Sequence, residues 1–145
     1  MSGGLHIVCP DCNSTNRIPA DRPAGEGRCG RCGNALFSGR PTVLTEESFD
    51  RHLAANQIPL AVDFWAPWCA PCRTMAPAFE EAAAHLEPKV RLAKVNTDDH
   101  QKLGGRFSIR GIPTVVIFSG GREVARRSGA MDAATLVSWI ESNLP

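Results

Sequence analysis

The stretch Leu60-Ala-Val-Asp-Phe-Trp-Ala66, running on into Pro67-Trp-Cys-Ala-Pro-Cys72, constrains the fold more than any other part of the chain. Its apolar run, interrupted only by Asp63, predicts a strand covered on both faces. That strand enters a turn carrying Cys69 and Cys72, and a helix pattern begins at about Ala70. Two thiols three residues apart across a first helical turn can close a disulfide with little backbone movement. Cys69 would sit at the helix N-terminus, where unpaired N–H groups and the macrodipole favour a thiolate. Pro71 suits this opening, because its missing N–H would have had no intrahelical acceptor. Cys72, one turn further in, is expected to be the more buried and to act as the resolving thiol. A carboxylate at Asp63 is costly in such a strand unless paired or protonated. Two readings stand: an edge strand with a solvated Asp63, or a buried acid of raised pKa that moves a proton for Cys72.

The six cysteines of the 145-residue chain all fall into Cys-x-x-Cys pairs, and none is left over. Met1 to Cys9 offers neither a basic start nor an apolar h-region, so no secretory leader is expected and the cytoplasm is the default location. Thiols in a reducing compartment point to metal and catalysis rather than to structural disulfides. Cys9-Pro-Asp-Cys12 and Cys29-Gly-Arg-Cys32, with 16 residues between them, have zinc-site spacing. Two such knuckles can turn four sulfurs toward one structural Zn²⁺ per chain, at about 2.3 Å per bond. The competing reading is a pair of disulfides or free thiols. His6 stands at His-x-x-Cys spacing before Cys9, but four thiolates already fill a tetrahedral site. So short a segment buries too little surface to fold alone, and a bound metal would stabilise it.

Length and an apolar fraction of 43% allow one main core with a small appendage. The net charge of +1 carries no signal for nucleic acid or membrane, and no apolar run approaches the roughly 18–20 residues that span a bilayer. Arginines 17, 22, 28, 31 and 40 cluster early, but Asp11, Asp21 and Glu26 offset them and no aromatic is interleaved for stacking. A solvated face is expected. Arg28 and Arg31 beside the second knuckle also suit a site that four thiolates would leave net negative.

Phe37 to Pro41 reads as a linker, dividing the chain into 1–39 and 40–145. Val43-Leu44 predicts a short strand, then Thr45 an N-cap with Glu46 and Glu47 in the first turn. Phe49, Leu53 and Ile58 line that helix, and Pro59 ends it. The helix from Ala70 carries the stripe Met75, Phe79, Ala82, Ala83 and Leu86, with a kink expected at Pro77 and an end at Pro88. Val90 to Val95 predicts a strand, 98–107 a short helix, and Val115 to Phe118 a buried strand. Gly120-Gly121 turns the chain into an edge strand over 122–128. Asp132 caps a last helix to about Asn143, with Leu136, Val137, Ile140 and Leu144 at helical spacing. The order β-α-β-α-β-α-β-β-α predicts an α/β sheet with helices on both faces.

With these residues in view, the chain from about Pro41 to Pro145 resembles thioredoxin. The resemblance rests on Trp68-Cys-Ala-Pro-Cys72, its Asp-Phe-Trp-Ala lead-in from Asp63, Ala-Lys-Val-Asn at 93–96, Gly-Ile-Pro-Thr at 111–114, and Gly129. With the four-cysteine extension, the whole is similar to the bacterial thioredoxin 2 type. The resemblance implies a thioredoxin fold, a central mixed sheet flanked by helices, with an N-terminal zinc ribbon. It implies that Cys69 attacks, that Cys72 resolves, that Asp63 is the buried acid with Lys94 near it, and that Pro113 follows a cis peptide bond. Ile112 and Pro113, with Trp68, Ala70, Pro71, Gly129 and Ala130, would form the rim that grips the substrate, whereas Trp65 belongs to the core. The resemblance further implies a redox-active disulfide Cys69–Cys72, client proteins carrying disulfides, and an NADPH-dependent thioredoxin reductase as electron donor to a monomer. One departure is Ala70, where thioredoxins usually have Gly; a modest shift in reduction potential is expected. Two other functions compete: a disulfide oxidant or isomerase on the same residues, and a zinc-dependent, redox-sensitive chaperone or binding module. Deleting residues 1–37 is expected to leave turnover unchanged.

Overall fold

The computed structural model describes residues 4–145; Met1 to Gly3, the start of the leader-free N-terminus expected above, lie outside the described residues. The middle strand of the main sheet is β4 (Leu60–Trp65), and the rest is built outward from it. On one side it pairs in parallel with β5 (Arg91–Asn96), which pairs in parallel with the short β3 (Thr42–Val43). On the other it pairs antiparallel with β6 (Thr114–Ser119), and β6 with β7 (Arg122–Ser128), so the order is β3-β5-β4-β6-β7. The predicted mixed sheet is present, with β7 at its edge.

Alternation along β4 sets the two faces. Leu60, Val62 and Phe64 pack with Phe49 of α1 (Phe49–Ala55) and Leu103 of α3 (Gln101–Arg106). Ala61 faces the opposite way, against α2 (Ala70–Leu86) and α4 (Ala133–Ser142). The same parity places Asp63 and its register partner Lys94 on the α2 side. Asp63 is 1% exposed, so the edge-strand reading fails: β4 is flanked on both sides.

Thr45 makes the cap expected of it: its hydroxyl accepts the Ser48 N–H, the Ser48 hydroxyl accepts the Thr45 N–H, and its carbonyl accepts the Phe49 N–H at 2.9 Å. The regular helix starts only at Phe49, so Glu46 and Glu47 lie in the capping turn before it. Farther on, α2 runs from Ala70 through Pro77 to Leu86, ending before Pro88. Pro77 lies on the exposed side, where water can satisfy the carbonyl that its ring leaves unpaired.

Residues 4–37 form a small unit whose strands were too short to read from periodicity. There β1 (Gly4–Val8) pairs antiparallel with β2 (Thr15–Pro19), followed by a 3₁₀ turn at Ala24–Glu26. Ile7, Ile18, Leu36 and Phe37 pack with Cys9 and Cys29 in its core. Ile58, expected to pack along α1, joins this cluster instead. Phe37 is likewise no free linker residue, because it is buried beneath the Arg91 guanidinium, 4.4 Å from its ring centroid.

Arg91 fastens this unit to the sheet. At 1% exposed, it donates from Nη2 to the carbonyls of Leu36 at 2.9 Å and Val8 at 3.2 Å, while Nη1 lies 3.5 Å from buried Glu87. Burial pushes Glu87 up and Arg91 down, and each opposes the other's shift. A second seam runs along α1. There Asn56 Oδ1 accepts the Val8 N–H, and buried His52 bonds Asn13 Oδ1 through Nε2. Burial, with Arg91 and Arg51, pulls His52 down to about 4, so the ring is neutral at pH 7.

Candidate dithiol site and cysteine cluster

The chain leaves β4 at Trp65, turns through Ala66-Pro-Trp68, and enters α2 with Cys69 as N-cap. Cys69 has extended backbone, and its sulfur accepts the Cys72 N–H at 3.2 Å. A sulfur in this position satisfies one of the helix's orphan donors and feels the positive end of the dipole. Pro71 fills the first turn as expected. The two cysteines form a disulfide, their Cα atoms 5.3 Å apart, and both are nearly buried. Trp65 and Ile112 pack against the pair, so Trp65 belongs to the thiol cluster rather than to either main core.

The Ile112–Pro113 peptide is cis, with Pro113 buried, and the Ile112 carbonyl oxygen lies 3.7 Å from Cys69 Sγ. The neighbouring loop is tied to it. Gly129, at φ +100°, donates its N–H to the Pro113 carbonyl at 2.8 Å. Thr114 Oγ1 bonds both the Gly111 carbonyl and, at 2.8 Å, Ser128 Oγ. A side chain at position 129 would be strained in that left-handed backbone, which only glycine adopts freely. Ile112, Pro113 and Gly129 are thereby gathered in one place, with exposed Ala130 following. Ala70 is exposed beside Cys69, and Trp68 projects with 68% exposure. Trp68 Nε1 donates to Asp98 Oδ1 at 3.1 Å, a partner the sequence reading missed. No periodic signal marks Asp98, which lies in the turn after β5.

On the α2 side of β4, two residues before Trp65, both carboxylate oxygens of Asp63 are buried without a hydrogen-bond partner. Burial pushes Asp63 up to about 7, with Lys94 opposing the shift. Lys94 is half-buried, its Nζ 4.6 Å from the Trp65 ring centroid. The acid can therefore hold or release a proton near neutrality.

At the other end of the sheet, the sulfurs of Cys9, Cys12, Cys29 and Cys32 all lie within 4.8 Å of one another. Two of the separations are 3.7 Å (Cys9 to Cys32) and 3.5 Å (Cys12 to Cys29). A tetrahedral Zn²⁺ at about 2.3 Å from each sulfur requires edges near 3.8 Å, so the donor set fits. Backbone N–H groups of Asp11, Arg31 and Cys32 point at the sulfurs of Cys9 and Cys29, and Asn16 Nδ2 adds a donor to Cys29. The Cys32 N–H first, then Asn16, draw Cys29 down to about 6, whereas burial pushes Cys9 up to about 12, so without a metal the cluster holds thiols as well as thiolate. His6 stands outside the cluster, its backbone tied to Gln57.

Comparisons with known proteins agree with this geometry. The thioredoxin family model matches residues 40–142, and the model described as "Thioredoxin 2, N-terminal", a zinc ribbon, matches residues 8–34. Thioredoxin C-3 of Corynebacterium nephridii is 38% identical over 138 residues, covering 95% of this chain and 94% of its own. Thioredoxin 1 of Nostoc sp. is 41% identical over 101 residues, covering 70% and 94%. Among solved structures, a mutant thioredoxin from Halobacterium salinarum NRC-1 superposes with a TM-score of 0.66 at 29% identity, covering 75% of this chain and 95% of that one. With its paired cysteines at the start of α2 and its four-sulfur ribbon, the chain belongs to the thioredoxin family, in the form that carries an N-terminal zinc ribbon.

Proposed function

We propose that the protein reduces disulfides of client proteins, with Cys69 and Cys72 as the exchanging pair. The observation that carries the reading is the dithiol pair capping α2 with an unpartnered, near-neutral acid on the strand that leads into it. The Cys69 thiolate attacks one client sulfur. A mixed disulfide forms, and the other client sulfur leaves as thiolate and takes up a proton. Asp63 accepts the proton of Cys72, whose sulfur then attacks Cys69 and releases the second client thiol. The oxidised pair regains two electrons and one proton from NADPH, as hydride, through a flavoprotein thioredoxin reductase, and takes the second proton from solvent. Lys94 tunes Asp63. Trp68, Ala70, Pro71, Ile112, Pro113, Gly129 and Ala130 form the rim against which an extended client lies. Binding there is in strand fashion through the backbone of Ile112.

Cys9, Cys12, Cys29 and Cys32 would hold one Zn²⁺, which supplies a structural cross-link and no redox chemistry. The reading divides the chain into a ribbon, 1–39, and a thioredoxin unit, 40–145, acting as a cytoplasmic monomer. Mutating Cys72 to Ser should trap the mixed disulfide with clients and stop multiple-turnover insulin reduction. Sustained insulin reduction by that variant would refute the resolving role. Equilibration of the reduced protein with glutathione buffers separates a reductase from an oxidant or isomerase, since a couple near the thioredoxin range reads at about −270 mV.

A further inference from the structure

The ribbon carries a groove of about 390 Å³ that the dithiol chemistry leaves unexplained. Its floor is apolar, built from the buried side chains of Ile18 and Leu36. Its walls hold three exposed arginines, Arg17, Arg22 and Arg28, against one carboxylate, Glu26. None of the three guanidiniums takes part in an ion pair among the described residues, where the paired cations are Lys89, Arg91, Arg106 and Arg126. Arg28 reaches only the Gly33 carbonyl, at 3.4 Å.

The backbone along this groove is an open strand edge. In an antiparallel pair, the N–H and C=O of one residue point to the same side, and the side alternates along the strand. His6 turns both groups outward, donating to Gln57 Oε1 at 2.7 Å and accepting the Gln57 N–H at 2.9 Å. Its register partner on β2 is Arg17. The main-chain groups of Arg17 therefore point away from β1, along the groove, and no bond to either is formed elsewhere in the described chain. The outer edge of β1 is thus covered by Asn56 and Gln57, whereas on β2 the groups of Arg17 stay open and Pro19, the next outward residue, has no N–H and gives its carbonyl to the Arg22 N–H.

We propose that this groove is a docking site for an extended acidic peptide segment, which adds as a third strand to the open edge of β2. Backbone bonds to Arg17 would fix its register, alternate apolar side chains would rest on Ile18 and Leu36, and carboxylates on the other alternate positions would meet the arginines. The lack of an exposed aromatic in the groove argues against a nucleic-acid strand, which relies on stacking. Arg91, at the start of β5, marks the ribbon end of the sheet, and the thiols lie past the far end of the six-residue β4. At 3.3 Å per residue that is about 20 Å. A client held here by an acidic segment can present a disulfide to Cys69 from another part of its surface.

The test uses the zinc-loaded full chain and a cysteine-free, fluorescein-labelled octapeptide of alternating glutamate and valine. Fluorescence anisotropy should show saturable binding that weakens as salt rises. The triple variant Arg17→Ala, Arg22→Ala, Arg28→Ala should bind about tenfold more weakly, since three exposed charge pairs are lost. Glu26→Gln should bind more tightly, and amide exchange at Arg17 should slow when peptide is present. Insulin reduction by the triple variant should equal that of the parent, and an unchanged zinc content and Tm show that its ribbon still folds. Peptide binding unchanged in the triple variant, or no slowing at Arg17, would overturn the site. So would equal binding of a lysine–valine octapeptide or of a single-stranded oligonucleotide that competes for the groove.

Discussion

Asp63 shows how a single residue can be legible and still undecided from sequence. A lone acid in an apolar run announces itself, but whether it is solvated depends on strand order, which no local pattern encodes. The structure places β4 third of five strands and leaves both carboxylate oxygens without partners. Its pKa is raised from 3.8 to about 7. Because the folded value lies above the unfolded one, stability is full below about pH 4, falls between pH 4 and 7, and is flat above. The upper bound on that loss is about 4 kcal/mol. Asp63→Asn should therefore raise Tm at pH 8 and change it little at pH 4. The same variant should slow insulin reduction and lose the break near pH 7 in the rate profile, both readable on one protein preparation. Arg91 is the opposite case, because a charged residue opening a strand gives no hint that it will be sealed over Phe37. Arg91→Met strands Glu87 in the interior and removes the bonds to Val8 and Leu36, a loss of about 3–5 kcal/mol in urea unfolding. Adding Glu87→Gln should recover part of that loss.

Among the elements, the strands of the main sheet and α2 were readable because burial and periodicity agreed in them. Phe79, Ala82, Ala83 and Leu86 all lie where the stripe predicted. The cap of α1 at Thr45 was readable too, but not the turn over 46–48 that separates it from the regular helix at Phe49. The pair β1 and β2 escaped notice because five residues each give too little alternation, and their register depends on cysteines and on α1. For the site, the α2 entry is what matters. Cys69 caps it, and Ala70 follows in helical conformation with its side chain in solvent. A methyl group there touches neither sulfur's hydrogen bond, so Ala70→Gly should act only through helix propensity at the first turn. That is at most about 1 kcal/mol in either redox state, and a good part cancels between the two. The midpoint against glutathione should move by less than about 20 mV. A larger shift would mean that position 70 contacts the thiolate in a way this geometry lacks.

For the whole molecule, the ribbon is better described as a second layer of the fold than as a tethered tag. Its core includes Ile58, from the segment before β4, and its main chain receives Arg91 from β5 and Asn56 from α1. Cys9 and Cys29 are both part of that core and part of the four-sulfur cluster. Metal binding and docking therefore share the same residues. Removing Zn²⁺ leaves four thiols to be buried or solvated without the cross-link, and the segment is too small to keep its shape by apolar burial alone. Once it loosens, Arg91 and Glu87 lose their cover, which links the metal to the stability of the sheet. Yet the thiols sit beyond the opposite end of β4, at the start of α2, whereas Gly39 approaches that helix near its other end, at Ala84. Chelation should thus lower Tm of the entire chain in one transition, with the loss reversed by added zinc. Insulin reduction per folded molecule, measured well below that transition, should stay within about twofold. Two separate transitions after chelation, with the upper one unmoved, would show the ribbon to be energetically independent. A collapse of turnover at temperatures where the fold is intact would instead tie the metal to the chemistry.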